Sequence, residues 1–149
     1  AEPEFRSVLA MNPASAITLN YLGYMLADRG VQLEESVELI KRALEIDPYN
    51  GAYLDSLGWA YYRQAKFDLA EEYLRRASER TRHDPTIHDH LGDLYEKLGR
   101  FELAATHWER SLAQWKRTPK TEFDPEAFGK TEAKLRAVKT RPANPIKKK

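Results

Sequence analysis

Three Leu-Gly pairs, Leu22-Gly23, Leu57-Gly58 and Leu91-Gly92, recur at spacings of 35 and 34 residues. Self-similarity at a fixed period of this size means stacked structural units rather than one irregular core. The same frame surrounds each pair. It reads Leu19, Leu22-Gly23, Leu26, then Leu54, Leu57-Gly58, Tyr61, then His88, Leu91-Gly92, Tyr95. Steps of three, one and three residues put all four positions on one face of a helix.

A second segment follows each frame: Ser36, Ile40, Ala43, then Ala70, Leu74, Ala77, then Ala104, Trp108, Ser111. Steps of four and three mark the stripe of a second helix. Gly30-Val31-Gln32, Gln64-Ala65-Lys66 and Gly99-Arg100 separate the two helices of each pair. Asn12-Pro13, Asn50 and Asp84-Pro85 are expected to open the first helices, because Asn and Asp cap free N–H groups and Pro fits the first turn. A glycine inside a helix costs about 1 kcal/mol against alanine. Three such glycines in register imply that the paired helices approach closely there, with Tyr61, Tyr95 and Trp108 filling the remaining space.

These residues resemble the 34-residue helix-turn-helix of the tetratricopeptide repeat, over residues 1 to about 118. The pattern departs where Leu19, Leu54 and His88 replace its opening Trp, where one extra residue sits near Val31, and where Arg82 stands in place of a closing Pro. The resemblance implies an all-α, right-handed α-solenoid with a C-terminal capping helix. The repeats are expected at 14–48, 49–83 and 84–118. Residues 1–13 match the second helix of an incomplete repeat, through Phe5, Val8 and Pro13, so further repeats are expected upstream. Asp124-Pro125-Glu126 is a helix start, and 119–139 is expected to be the capping helix. Phe128, Thr131, Leu135 and Val138 would form its inner stripe, and Lys130, Lys134, Arg136 and Lys139 its polar outer face. Residues 140–149 are Pro- and Lys-rich and read as a disordered tail.

The local wording around the Leu-Gly pairs is also similar to the C-terminal repeat block of large bacterial proteins of this family. Some of those are outer-membrane lipoproteins that serve as adaptors, so the compartment stays open between cytoplasm and envelope.

The formal charge of +1 over 149 residues conceals an asymmetry. Residues 116–149 carry 11 basic and 4 acidic side chains, and the rest is correspondingly acidic, at net −6. There is no cysteine, which excludes disulfides, thiolate metal sites and thiol nucleophiles. No apolar stretch approaches the roughly 20 residues of a membrane span. His88, His90 and Asp93 share one helix but point in different directions, and His107 reads as an isolated surface residue, so no metal site is expected. Gly129-Lys130-Thr131 is similar to the end of a phosphate loop, but it has Asp124 where the first glycine belongs. Acidic and basic residues alternate along the helices, as in Glu71-Glu72-Arg75-Arg76, which marks solvated faces. Neither catalysis nor a cofactor is expected.

The family resemblance implies that first helices line a concave groove where peptides lie. The side chains flanking the Leu-Gly pairs opposite the core would point into it. In the first repeat these are Asn20, Tyr21, Tyr24 and Asp28. In the second they are Asp55, Ser56, Trp59, Tyr62 and Arg63, and in the third Asp89, His90 and Asp93, with Glu96 and Lys97. Aromatic faces among carboxylates suit a protein or peptide bearing Arg, Lys or aromatic residues. The alternative is that the Tyr and Trp rings pack between neighbouring first helices. The family's clamp for chaperone C-terminal carboxylates needs Lys and Arg where this chain has Tyr24, Thr86 and His90, so that ligand is excluded. A second functional class is an assembly module that self-associates through solenoid edges, a homodimer included. Nucleic acid is not expected, because the body is acidic and the basic tail carries no aromatic residues for base stacking.

Overall fold

The computed structural model describes residues 2–141. The remainder of the basic tail lies outside the described residues. Among the described residues there are eight helices and no strand. They are α1 (Glu2–Met11), α2 (Ala16–Arg29), α3 (Leu33–Ile46), α4 (Gly51–Arg63), α5 (Phe67–Arg80), α6 (Pro85–Lys97), α7 (Phe101–Arg117) and α8 (Pro125–Lys139). None of them is long and apolar enough to cross a membrane. The chain divides after Thr81 into two compact units.

All nine stripe residues of the second helices, from Ser36 to Ser111, are fully buried. The first-helix frame residues are buried too, His88 included. The mid-helix glycines explain the pairing. A Cβ on Gly23 would lie 2.6 Å from Ile40 Cγ1, and one on Gly58 2.7 Å from Leu74 Cγ. One on Gly92 would run into the indole of Trp108. The close neighbour is in each case the central stripe residue of the second helix. Serines in the stripes bond back across the pair. Ser36 Oγ donates to the Gly23 carbonyl at 2.6 Å, and Ser111 Oγ to the Pro85 carbonyl at 2.8 Å.

The three intra-pair turns share one hydrogen-bond pattern. Gly30, Ala65 and Gly99 adopt left-handed backbone with φ of 71°, 61° and 76°. Their N–H groups donate to Ala27, Tyr62 and Glu96, and the next residues donate to Leu26, Tyr61 and Tyr95. This is the Schellman closure, which glycine enters most readily. The extra residue of the first pair sits in its turn, where Gln32 precedes α3 with φ 49°.

In the first unit, α1 packs on α2, and α4 packs on α2, α3 and α5. Phe5 and Leu9 of α1 rest against a cluster of Leu19, Leu22, Leu26, Leu39, Ala43 and Tyr53. Arg6 clasps Glu35 of α3 with two bonds of 3.1 and 2.9 Å and reaches Glu2 at 2.8 Å. Those bonds hold the Glu35 carboxyl below its usual range. Asn50 caps α4 as expected, but α2 does not start at Asn12-Pro13. Its cap is Ser15, whose hydroxyl accepts from Thr18 N–H. The Asn12 carbonyl instead accepts from Ser15 N–H and closes the preceding turn.

In the second unit, α6 pairs with α7, and α8 lies on α7. Asp84 caps α6 with Pro85 in its first turn, and Asp124 caps α8 with Pro125 likewise. Thr131 and Val138 are buried as expected. Lys134 is the exception to the expected polar outer face. It turns inward, because it lies three residues after Thr131 and four before Val138, on the same stripe.

Candidate functional site

The side chains that the repeat frame sends away from the Leu-Gly pairs fall into one set on α2 and α4 and another on α6. On α2, Asn20 is buried, Tyr24 is half-buried, and Tyr21 and Asp28 are exposed. Tyr21 is turned toward α1, with its ring 5.9 Å from that of Phe5. Asn20 is 8% exposed, and its Oδ1 accepts no hydrogen bond among the described residues. A buried acceptor left in that state costs about 1–3 kcal/mol.

On α4, Asp55, Ser56 and Trp59 are buried. Trp59 stacks on Tyr62 with centroids 4.7 Å apart and planes within 12°. Tyr62 in turn meets Phe67 of α5 at 6.0 Å. Arg63 is exposed, and its guanidinium lies against Gly30 in the turn that follows α2. The half-buried edge of Tyr62, rather than the face of Trp59, is therefore the aromatic surface of α4.

On α6, His90 is buried and Asp89 and Asp93 are half-buried. The two aspartates are already engaged. Lys134 Nζ of α8 bonds Asp89 Oδ1 at 2.8 Å and Asp93 Oδ1 at 2.7 Å. Thr131 Oγ1 donates to the same Asp89 oxygen at 2.7 Å. The ammonium also lies 5.4 Å from the ring centroid of Trp108, in cation–π range. Burial, with the negative charge of Asp89, pushes the Asp93 carboxyl up, against the pull of Lys134. Burial opposes the Lys134 charge most strongly, but the two carboxylates together outweigh it and hold the ammonium above its usual range. One turn on, Glu96 meets Arg141 at 3.6 Å.

The histidines are arranged differently from the sequence reading. His107 is not isolated. Its ring lies between His88, at 5.5 Å, and Tyr95, at 5.4 Å. The Nδ1 atoms of His88 and His107 are 3.3 Å apart, so one ring donates to the other. No group of three or more metal-ligating side chains occurs among the described residues.

Sequence and structural comparisons agree on what the chain is similar to. The sequence profile of the tetratricopeptide repeat matches residues 1–51 and 56–120. The TPR repeat-containing protein PA4667 of Pseudomonas aeruginosa is 47% identical over 72 residues, covering 48% of this chain and 12% of its own length. This chain thus spans only about an eighth of that relative. Among solved structures, PcrH in complex with the chaperone binding region of PopD superposes with a TM-score of 0.71 at 19% identity, over 83% of this chain and 90% of that one. The first TPR of Spaghetti (RPAP3), bound to the HSP90 peptide SRMEEVD, does so with 0.64 at 22% identity, over 84% and 94%. At such identities the superpositions speak for the fold alone. With the profile covering most of its length and each Leu-Gly helix paired to a fully buried second stripe, this chain belongs to the tetratricopeptide-repeat family.

Proposed function

We propose that the chain is a non-catalytic protein–protein interaction scaffold. It holds a peptide segment or protein surface against the first helices of its repeats, through polar and aromatic side chains of α2 and α4. The observation that carries this reading is Asn20. Its oxygen is buried without a donor among the described residues, on the side of α2 that the repeat frame sends away from the Leu-Gly pair. An outward turn of the side chain lets a ligand backbone N–H, or an Arg or Lys side chain, supply that donor. Tyr24 and Asp28 on α2 and Tyr62 and Arg63 on α4 add aromatic and charged groups of both signs along the same two helices. Because the helices fix these groups in advance, little ordering cost falls on binding. The complexes of PcrH with the chaperone binding region of PopD and of Spaghetti with an HSP90 peptide are consistent with this kind of role. The chain's Tyr24, Thr86 and His90 argue against a carboxylate-terminal peptide of the second kind.

The test is selection from a displayed random-peptide library, followed by titration of the selected peptides against variants. Enrichment of Arg, Lys or aromatic residues is expected. Asn20→Leu and Tyr62→Leu should each weaken binding about tenfold, or about 1.4 kcal/mol. Selected peptides that bind both variants as tightly as the parent chain would place the ligand elsewhere.

A second reading, self-association, is favoured by Val8, Met11 and Ile17, which are 44%, 88% and 60% exposed on α1 and the start of α2. Light scattering that shows a monomer up to about 100 μM, a range in which weak contacts register, would exclude it.

A further inference from the structure

The carboxylates of α6 have an occupant. Asp89 and Asp93 stand one turn apart, and a single ammonium bridges them at 2.8 and 2.7 Å. The hydroxyl of Thr131 completes the Asp89 site. Arg141, seven residues beyond Lys134, meets Glu96 and lies 4.6 Å over the Phe101 ring. The acidic row on α6, spaced by four and three residues, is thus matched by a basic row on α8 and just beyond its end.

Two features set α8 apart from an ordinary core helix. It is shallowly seated, with Thr131 and Val138 its only buried residues over 15 positions. By contrast α7 buries Ala104, Trp108, Ser111 and Trp115. Second, its grip is concentrated in charge. Two half-buried carboxylates so close together repel each other, and each is costly unless a cation lies between them. Departure of α8 without a replacement exposes both to water with their mutual repulsion unrelieved. Exchange of one basic helix for another does not.

We propose that α8 is a built-in pseudo-ligand, and that the second unit binds a partner's basic amphipathic helix by exchange, with an incoming lysine taking the place of Lys134 between Asp89 and Asp93. The proposal rests on the interaction reading above and names the partner chemistry for α6. In the resting chain the α6 face is self-occupied. The partner helix carries a lysine on its apolar stripe, a small hydroxyl residue three positions before it, and a second basic residue seven positions after it. The aliphatic stem of that lysine crosses the Trp108 face as Lys134 does now.

The probe is a fluorescein-labelled peptide with the sequence of residues 125–141, titrated by anisotropy against the full chain. Lys134→Gln in the chain removes the cation but keeps the length of the side chain. The peptide should bind this variant at least tenfold more tightly than the parent chain. A second change, Asp93→Asn, should abolish the gain, and so should glutamine at the lysine position of the peptide. Equal binding to parent and Lys134→Gln chains overturns the proposal, as does binding indifferent to Asp93→Asn. If Lys134→Gln unfolds the chain, Thr131→Val loosens the same contact while keeping its shape, with the same expected gain. A Lys134→Gln chain that dimerises by helix exchange, and shows no peptide binding at dilution, also overturns it in favour of a second copy as occupant. The α2 and α4 face plays no part in this titration. Its failure and the failure of the Asn20 test are therefore separate results.

Discussion

Replacing Asn20 with leucine separates binding from stability, because the two effects have opposite sign. Asn20 is 8% exposed and its Oδ1 is buried without a donor. Leucine has the same number and branching of side-chain heavy atoms and brings no polar atom, although its methyl groups are bulkier than the amide. Removing the unsatisfied oxygen recovers part of a penalty of about 1–3 kcal/mol. The apolar side chain adds a little burial, and leucine is a better helix former than asparagine by a few tenths of a kcal/mol. Against this stands the loss of any solvent contact made by the amide nitrogen. The expected net effect is a gain of about 1 kcal/mol. For a domain of this size that is a rise in Tm of about 3 °C. Urea unfolding followed by circular dichroism should show a higher midpoint with an unchanged slope. The same variant should lose affinity for selected peptides. A loss of more than about 1 kcal/mol of stability would mean that Asn20 is a paired structural residue, and the argument for a ligand at this position would fall.

Trp59→Ala should be a poor test of binding. The indole is buried and stacked on Tyr62, so truncation should cost about 3–5 kcal/mol through the cavity and the lost contacts; a urea midpoint within error of the parent would contradict this burial. Ala65→Gly should stabilise by about 0.5–1 kcal/mol, because Ala65 holds φ 61° where glycine is unstrained; a lower Tm would refute the left-handed turn. His88 should titrate below its ordinary value of 6.5. Burial is the main cause, and Arg110 adds to it, against opposing effects of the Arg82 backbone and Asp84. The unfolded chain then takes up a proton at about pH 6.5 that the folded chain refuses. This group's contribution to stability is present above that pH and is lost as pH falls through it. An NMR titration of the imidazole with a midpoint at or above 6.5 would oppose this.

The repeat register was legible because it rests on spacing alone. Leu22-Gly23 and its two successors, with the stripes that begin at Ser36, Ala70 and Ala104, needed only the period of a helix. The glycines were legible as points of close approach, and Trp108 as a residue that fills the space beside one of them. Nothing in the frame says that Ile40 and Leu74 fill the other two spaces, since that depends on how the two helices of a pair are rotated. Two departures share one cause. The charge of Lys134 points to solvent, although its spacing from Thr131 and Val138 puts it on the inner stripe. The polarity of His107 points to solvent in the same way, although it lies three residues after Ala104 and four before Ser111. In both cases side-chain polarity outweighed periodicity, and in both the fold provides a polar partner that makes the inward position tolerable. The start of α2 was missed for a local reason, because Asn12-Pro13 and Ser15 are both plausible caps and only the turn geometry chooses between them.

The opposed charges of the chain acquire a structural meaning from the same contact. Residues 116–149 are basic and the remainder acidic, so the formal charge nearly cancels. Part of that cancellation is local. Lys134 sits between Asp89 and Asp93, and Arg141 meets Glu96. An exposed pair such as Arg141 with Glu96 contributes little to stability and is screened by salt. The half-buried Lys134 cluster is different, because its carboxylates are costly whenever they lack a cation. The fold therefore does not rest on the net charge of either half. With α8 in place, the site between Asp89 and Asp93 holds the Lys134 ammonium, and salt should weaken the exposed Arg141 contact well before it releases Lys134.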